Sequence, residues 1–297
     1  MTASIDLMIP FWGDPDLLMQ SIQSALAQSN PDWRLVVVDD CYPVSVEDRI
    51  AAIEDERVTY IRNEKNLGIT DNYRRCIDLS SAPLVVLFGC DDIMLPNYVE
   101  VVLDTFAKVP DATIIQPGAR VIDWYGKPSW PIRDIVKQKM LAPKGAGISV
   151  LRGEAAALSL LRGDWLYWPS LAFRREAVVS HPFREGLPII QDLALLIDLI
   201  IDDGVLVYNP EKAFNVRRHL KSASATSALD GRRFPDERRY LALATQLMRE
   251  QGWKTAAHAA HLRLLSRLDA LSCVPGALWR RNWAGMKEIA RHTLKMS

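Results

Sequence analysis

The chain has 297 residues, enough for one large domain or a domain with an appendage. Half of it is hydrophobic, a quarter is charged and the formal net charge is zero. That composition describes a globular protein, excludes a disordered chain, and gives no global reason to expect nucleic acid as a partner. Cys41, Cys76, Cys90 and Cys273 show no C-x-x-C spacing, which argues against a zinc site or a disulfide framework and fits reduced thiols in a cytosol. The N-terminus lacks a basic n-region, so no signal peptide is expected. The most apolar stretch, 194–208, carries Asp198, Asp202 and Asp203 and is too charged to span a bilayer; any membrane role is expected to be peripheral.

In chain order, residues 5–9 read as a first strand closed by Pro10, and Phe11-Trp12-Gly13-Asp14-Pro15-Asp16 as a turn whose Asp14 or Asp16 caps the next helix. Leu17, Ile22, Ala25 and Leu26 give that helix an apolar face, and Asn30-Pro31-Asp32 breaks it. A second strand over 35–38 runs into Asp39-Asp40-Cys41, completing a βαβ unit and predicting a parallel sheet. A short helix over 46–53, a strand over 58–61, a helix over 72–79, a buried strand over 83–88 and a helix over 96–109 follow. The pattern is that of a doubly wound α/β sheet, in which ligands bind beyond the carboxyl ends of the strands. Loops 10–14, 39–41 and 89–92 fall there. An adjacent carboxylate pair, Asp91-Asp92, at the end of a buried strand suits a divalent cation that holds a phosphate; a polar loop with a capping Asp is the plainer alternative.

Several chemistries are missing. There is no dinucleotide glycine fingerprint after the first strand, no G-x-x-x-x-G-K-[ST] loop and no G-x-S-x-G elbow. Without a glycine cradle, diphosphate charge must be neutralised otherwise, and a metal on Asp91 and Asp92 would do so.

Taken together, Ile9-Pro10-Phe11-Trp12-Gly13, Val37-Val38-Asp39-Asp40, Asn66-Leu67-Gly68-Ile69-Thr70-Asp71-Asn72 and Cys90-Asp91-Asp92-Ile93-Met94-Leu95-Pro96 resemble, in order and spacing, a family 2 glycosyltransferase of the GT-A fold over the first ~220 residues. The resemblance implies a Rossmann-like, mostly parallel sheet flanked by helices over 1–225, with a helical C-terminal extension over 231–297. It assigns a nucleotide-diphosphate sugar to Pro10, Phe11, Trp12, Asp14, Asp39, Asp40, Asn66, Gly68, Asn72 and Asp91. Asp92 would hold Mn2+ or Mg2+, joined by His219. The chain departs from the family pattern at Gly89, where an Asp often opens a D-x-D, at Phe11 and Gly13, and at Cys41, which replaces a common Gly.

Further on, 113–116 reads as a strand, and 123–149 as a long excursion over the site. A helix over 153–161 precedes Trp165, Tyr167 and Trp168, which serve either packing or, by resemblance, the acceptor side. Asp192 heads an apolar helix. A carboxylate there is either a helix-end group or, by resemblance, the general base of an inverting transfer, matching the family's Glu-Asp in its second member only. After a strand over 205–208, Arg217, Arg218 and His219 form either a surface charge run or, by resemblance, the loop that closes over the diphosphate. From about residue 231 helical periods take over, at 240–251, 253–271 and 279–296, with basic residues in excess. This tail is expected to pack on the catalytic domain or a second subunit, with contact to the inner face of a membrane as the other reading.

The implied function is inverting transfer from a UDP- or dTDP-sugar to a hydroxyl of a glycan, a lipid-linked acceptor or a small molecule, in glycan or cell-envelope synthesis. The alternatives are a catalytically silent nucleotide-sugar-binding scaffold, prompted by Gly89, and a nucleotidyltransferase, which the Phe11-Trp12-Gly13 loop disfavours.

Overall fold

The computed structural model describes residues 4–218, 233–279 and 281–294. Strands β1 (Ile5–Phe11), β2 (Trp33–Asp39), β3 (Val58–Arg62) and β4 (Leu84–Leu87) alternate with helices α1 (Pro15–Leu26), α2 (Glu47–Ala51) and α3 (Ile69–Leu79). Then come β5 (Ile93–Met94), α4 (Tyr98–Lys108), β6 (Ile114–Ile122) and α5 (Ile132–Val136), the last running into a π-helical turn at Lys137–Leu141. Next are β7 (Ser149–Leu151), α6 (Gly153–Arg162), β8 (Ala172–Arg174), α7 (Arg175–Ser180), α8 (Gln191–Ile201) and β9 (Leu206–Arg217). The C-terminal helices are α9 (Arg233–Glu250), α10 (Lys254–Leu262), α11 (Leu264–Ser272), α12 (Val274–Trp279) and α13 (Trp283–Leu294).

The strands form one mixed sheet in the order β3-β2-β1-β4-β8-β6-β9-β5, with β7 also paired to β9. β3, β2, β1 and β4 are mutually parallel. β8 is antiparallel to both β4 and β6, so β6 and its parallel partner β9 again point the same way as β1. The carboxyl ends of β1, β2, β4, β6 and β9 therefore lie along one edge, and the loops leaving that edge form the site.

Both faces of the sheet are buried, which is why strands such as Leu84–Leu87 are apolar throughout. Met8, Val36, Val38, Val85 and Leu87 turn to one face, covered by α3, α6, α8, α9 and α10. Leu7, Ile9, Leu35, Val37, Val86 and Phe88 turn to the other, covered by α1 and α4. The first two C-terminal helices thus share the sheet's own core through Tyr240, Leu241, Ala244 and Ala257. A small separate core of Phe234, Ala270, Cys273, Ala277 and Ile289 holds the rest of the tail together. The single helical period expected over 253–271 is split at Arg263, whose φ of +46° is left-handed.

The sheet exceeds expectation in β6 and β9, which run five or more residues beyond the strands predicted at 113–116 and 205–208. Pro117-Gly118 and Asn209-Pro210-Glu211 look like turn residues. Here they sit opposite each other where the ladder shifts register, and the strands resume beyond. A Cβ at Gly118 would lie 2.5 Å from the Pro210 carbonyl oxygen and 2.7 Å from that of Glu211. Gly118→Ala is therefore expected to lower unfolding free energy by about 1–3 kcal/mol in urea denaturation, as overpacking against backbone does.

Candidate active site

The first wall comes from β1 and β2. Phe11 is buried and tilts against Tyr42 at 5.2 Å, while exposed Trp12 meets the same ring edge-on at 5.3 Å. Asp14 is the N-cap of α1, its carboxylate accepting from the amides of Asp16 and Leu17. Asp39 is fully buried, and its oxygens accept from the Tyr42 amide at 2.7 Å, the Tyr60 hydroxyl at 2.6 Å and Arg62 at 2.5 Å. Burial, reinforced by that carboxylate, pushes Tyr60 up to about 12.

Asp40 organises a loop. Its carboxylate accepts from Asn63, at 2.9 Å, and from the amides of Leu67 and Gly68, at 2.8 and 2.9 Å, while Asn66 donates to its carbonyl. Asn63 also donates to Asn72, which in turn donates to the Val38 carbonyl. The motif from Asn66 to Asn72 is thereby pinned to the end of β2. Gly68, at φ +86°, opens α3, and Thr70 two residues on donates to Gln191 at 2.6 Å. That bond links the 66–72 loop to the start of α8. Between Asp40 and this loop, Cys41 adopts φ +61°, a conformation natural to the glycine it replaces.

The second wall is the turn after β4. Asp92 is buried, and its Oδ1 accepts from the backbone amide of Arg217 at 2.7 Å. Burial first, and then the charge of Asp91, hold Asp92 well above the usual carboxylate range; the Arg217 amide, Arg218 and Arg217 pull the other way. Its second oxygen, Oδ2, occupies the space over Gly89, where a Cβ would fall well inside contact distance. A side chain at position 89 would therefore compete with the Asp92 carboxylate for the same space, and glycine leaves that space to Asp92.

Arg217 stands at the end of β9 and is almost wholly buried. Its guanidinium donates to the carbonyls of Asp91, Asp123 and Trp124 and to Gln20, at 2.6–3.2 Å. Expected on a loop facing a diphosphate, it is instead committed inside the protein as a clamp on the Asp91-Asp92 turn. Arg218 is the more open cation beside Asp92. It pairs with Asp134 at 2.9 Å and lies over the Tyr167 ring. His219 lies outside the described residues.

The third wall carries Asp192. It sits in the first turn of α8, half-buried, with its Oδ1 accepting from the Leu193 amide. Burial and then the charge of Asp164 push it up to about 6, against the amide of Leu193 and the charge of Lys137. Of the aromatics nearby, Trp165 and Tyr167 are core side chains, the former edge-on to Tyr208 and the latter held by Gln138 through its hydroxyl. Trp168 is half-buried, in a cluster with Tyr73, Phe173 and Phe183.

Asp134, Lys137, Gln138 and Asp164 escaped sequence reasoning. Three of them lie in the excursion over 123–149, at i, i+3 and i+4 of a helical turn, where the polar residues face inward and no apolar period marks the element. Among the described residues no group of three or more His, Cys, Asp or Glu is poised to hold a metal. The donor set available at the turn is the Asp91-Asp92 pair.

A family model described as Glycosyl transferase family 2 matches residues 6–178. The chain belongs to glycosyl transferase family 2. WcaA of Escherichia coli (strain K12) is 30% identical over 101 residues, 33% of this chain and 36% of that one. The protein MT1568 of Mycobacterium tuberculosis (strain CDC 1551 / Oshkosh) is 24% identical over 242 residues, covering 77% and 71%. The succinoglycan biosynthesis protein ExoO of Rhizobium meliloti (strain 1021) is 28% identical over 93 residues, covering 31% and 27%. The chain thus spans about a third or less of the length of some of these curated relatives. Among solved structures, TarS 1–349 of S. aureus superposes with a TM-score of 0.67 at 10% identity, covering 98% of this chain and 81% of that one. Its complex with UDP-GlcNAc superposes at 0.62 and 11% identity, covering 98% and 90%. The expected GT-A fold is the fold of this chain.

Two outcomes follow from the site's geometry. Gly89→Ala is expected to leave the fold intact but turn the Asp92 carboxylate aside, lowering turnover ~10–100-fold in a donor-consumption assay. Asp192→Asn tests the environment of the second carboxylate. Its folded value of about 6 lies above the ordinary 3.8, so the folded state binds the proton more tightly and the charged form costs stability. That cost is absent below the lower value and complete above the higher one. The variant is therefore expected to be more stable than the parent by roughly 1–3 kcal/mol at about pH 8, with the gain vanishing at about pH 4, in thermal denaturation at the two pH values.

Proposed function

We propose that this family 2 member is an inverting glycosyltransferase that moves a sugar from a UDP- or dTDP-linked donor to an acceptor hydroxyl in polysaccharide or other glycan synthesis. The observation that carries this reading is the pair of unlike carboxylate environments at one sheet edge. Asp92 is buried beside another acid, and Asp192 is raised to about 6, poised to accept a proton near neutral pH. The names of the curated relatives support a role in glycan synthesis, and the UDP-GlcNAc complex of the TarS neighbour supports a nucleotide-sugar donor.

In the proposed reaction the acceptor oxygen forms a bond to the anomeric carbon while the bond from that carbon to the diphosphate oxygen breaks. The hydroxyl proton passes to the Asp192 carboxylate. The adjacent acids Asp91 and Asp92 would hold Mn2+ or Mg2+, which when bound supplies charge neutralisation for the departing diphosphate. Asp92 suits that role through its Oδ2, which lies over the bare Gly89, while its Oδ1 is fixed by Arg217. Arg218, open on one side and adjacent to Asp92, supplies further positive charge. Trp12 and Tyr42 offer aromatic faces at the mouth of the donor-side loop, and in this reading half-buried Trp168 would meet a sugar on the acceptor side. Four unpaired thiols fit a reducing compartment such as the cytoplasm.

Calorimetric titration with UDP, dTDP and GDP, each with and without Mn2+, tests the donor. Metal-dependent binding of one diphosphate is expected, whereas no binding by the folded protein would favour a silent scaffold. Asp192→Asn tests the base. Turnover is expected to fall ~100–10,000-fold with nucleotide affinity unchanged. The parent's kcat/KM should rise with pH through about 6, because only the ionised carboxylate accepts the proton; a variant that keeps full turnover and this profile would remove Asp192 from the mechanism.

A further inference from the structure

The segment over the site is amphipathic in an unusual sense. Its inward side chains are polar: Asp134 meets Arg218, Lys137 donates to the Leu166 carbonyl, and Gln138 holds Tyr167. Its exposed side carries large apolar side chains, Trp130, Ile132 and Met140, each more than two-thirds exposed, interleaved with the exposed cations Arg133 and Lys139. A surface element ordinarily shows the reverse arrangement.

This apolar face continues into the C-terminal helices. Arg133 pairs with Asp269 of α11 at 2.6 Å, and its guanidinium also meets Cys273 at 3.2 Å. Leu141 and Leu265 converge over Gly163. On α11, Leu264, Leu268 and Leu271 recur at i, i+4 and i+7 and are all exposed, forming one stripe. Beyond it stand Trp279, 87% exposed, and Trp283, 70% exposed. Beside these rings lie the exposed cations Arg281 and Lys287. From residue 251 onward the chain carries eight Lys and Arg against two Asp and Glu, within a protein of zero formal net charge. Among the described residues no helix is long and apolar enough to cross a membrane.

We infer that this face, made by the outward side of segment 130–140 together with α11, α12 and the start of α13, seats the protein on an anionic lipid bilayer. Tryptophan rings prefer the headgroup level, exposed leucines insert just beneath it, and the flanking cations meet anionic headgroups. A second copy of the chain would meet the same excess of positive charge on its own tail, whereas an anionic surface is complementary to it. Because the opposite side of segment 130–140 carries Asp134, Lys137 and Gln138, the bilayer would lie against the outer surface of the element that covers the site. The inference goes beyond the transferase reading and does not depend on it.

Flotation of the full chain with vesicles tests it, using phosphatidylcholine alone and phosphatidylcholine mixed with phosphatidylglycerol. The protein is expected to float with the mixed vesicles and not with phosphatidylcholine alone, and to be released as salt is raised. Trp279→Ser with Trp283→Ser, and separately Arg281→Glu with Lys287→Glu, should each cut the bound fraction about tenfold while nucleotide-diphosphate binding stays at the parent's level. The charge pair keeps the test open if the tryptophan pair fails to fold. Failure of the parent to float, or flotation unchanged in the folded variants, overturns the inference. So does light scattering that shows a dimer of the parent becoming a monomer in the tryptophan variant, which would make the face a contact between copies. Loss of nucleotide binding in the parent would count against the transferase reading alone.

Discussion

One buried guanidinium holds the candidate site together. Arg217 reaches from the end of β9 to the carbonyls of Asp91, Asp123 and Trp124 and to Gln20 on α1, while its own amide fixes Asp92. A guanidinium loses its hydration on burial and must recover it as hydrogen bonds, so every partner is constrained to a definite place. The turn after β4, the end of β6 and the first helix are thereby locked into one arrangement. The acidic pair inherits its position from this cation rather than from the strand that precedes it.

A second hydrogen-bonded relay performs the same service on the donor side. Asp40 gathers Asn63, Leu67 and Gly68, Asn72 returns to Val38, and Thr70 carries the chain of contacts to Gln191, next to Asp192. Acidic residues at strand ends are commonly read as ligand groups. In this protein Asp14, Asp39 and Asp40 accept from backbone and side-chain donors of the protein itself, and by doing so they shape the edge along which Asp91 and Asp92 lie. A carboxylate facing another acid in a desolvated pocket, as Asp92 and Asp192 do, is pushed up and holds a proton or calls for a cation.

Two of the departures from the family pattern differ in kind. At Gly89 the absence of a side chain leaves room for the Asp92 carboxylate. At Cys41 a side chain has entered a left-handed position at a cost of about 1 kcal/mol, and its thiol donates to the Glu64 carbonyl and accepts from Arg62. The long segment between β6 and β7 is ordered by its inward polar side chains, and this explains how a stretch without an apolar period can still fold over a site.

The sequence by itself determined the parallel βαβ half, its strand ends and the family, because these depend on local periodicity, turn residues and motif spacing, all of which are short-range. It also picked out Asp91, Asp92 and Asp192 as residues of interest. The long β6–β9 ladder stayed hidden because Pro117-Gly118 and Asn209-Pro210 look like turns until they face one another across a bulge. Asp134 and Lys137 stayed hidden because a polar residue marks itself as functional only when its partner, Arg218 or Asp192, is brought near from some fifty or eighty positions away. Arg217 read either as a surface cation or as part of a loop over the diphosphate, and packing made it a buried clamp. How each carboxylate is buried and which donors it meets was decided by the tertiary structure, since desolvation and hydrogen-bond supply are properties of the assembled site and not of any segment of chain.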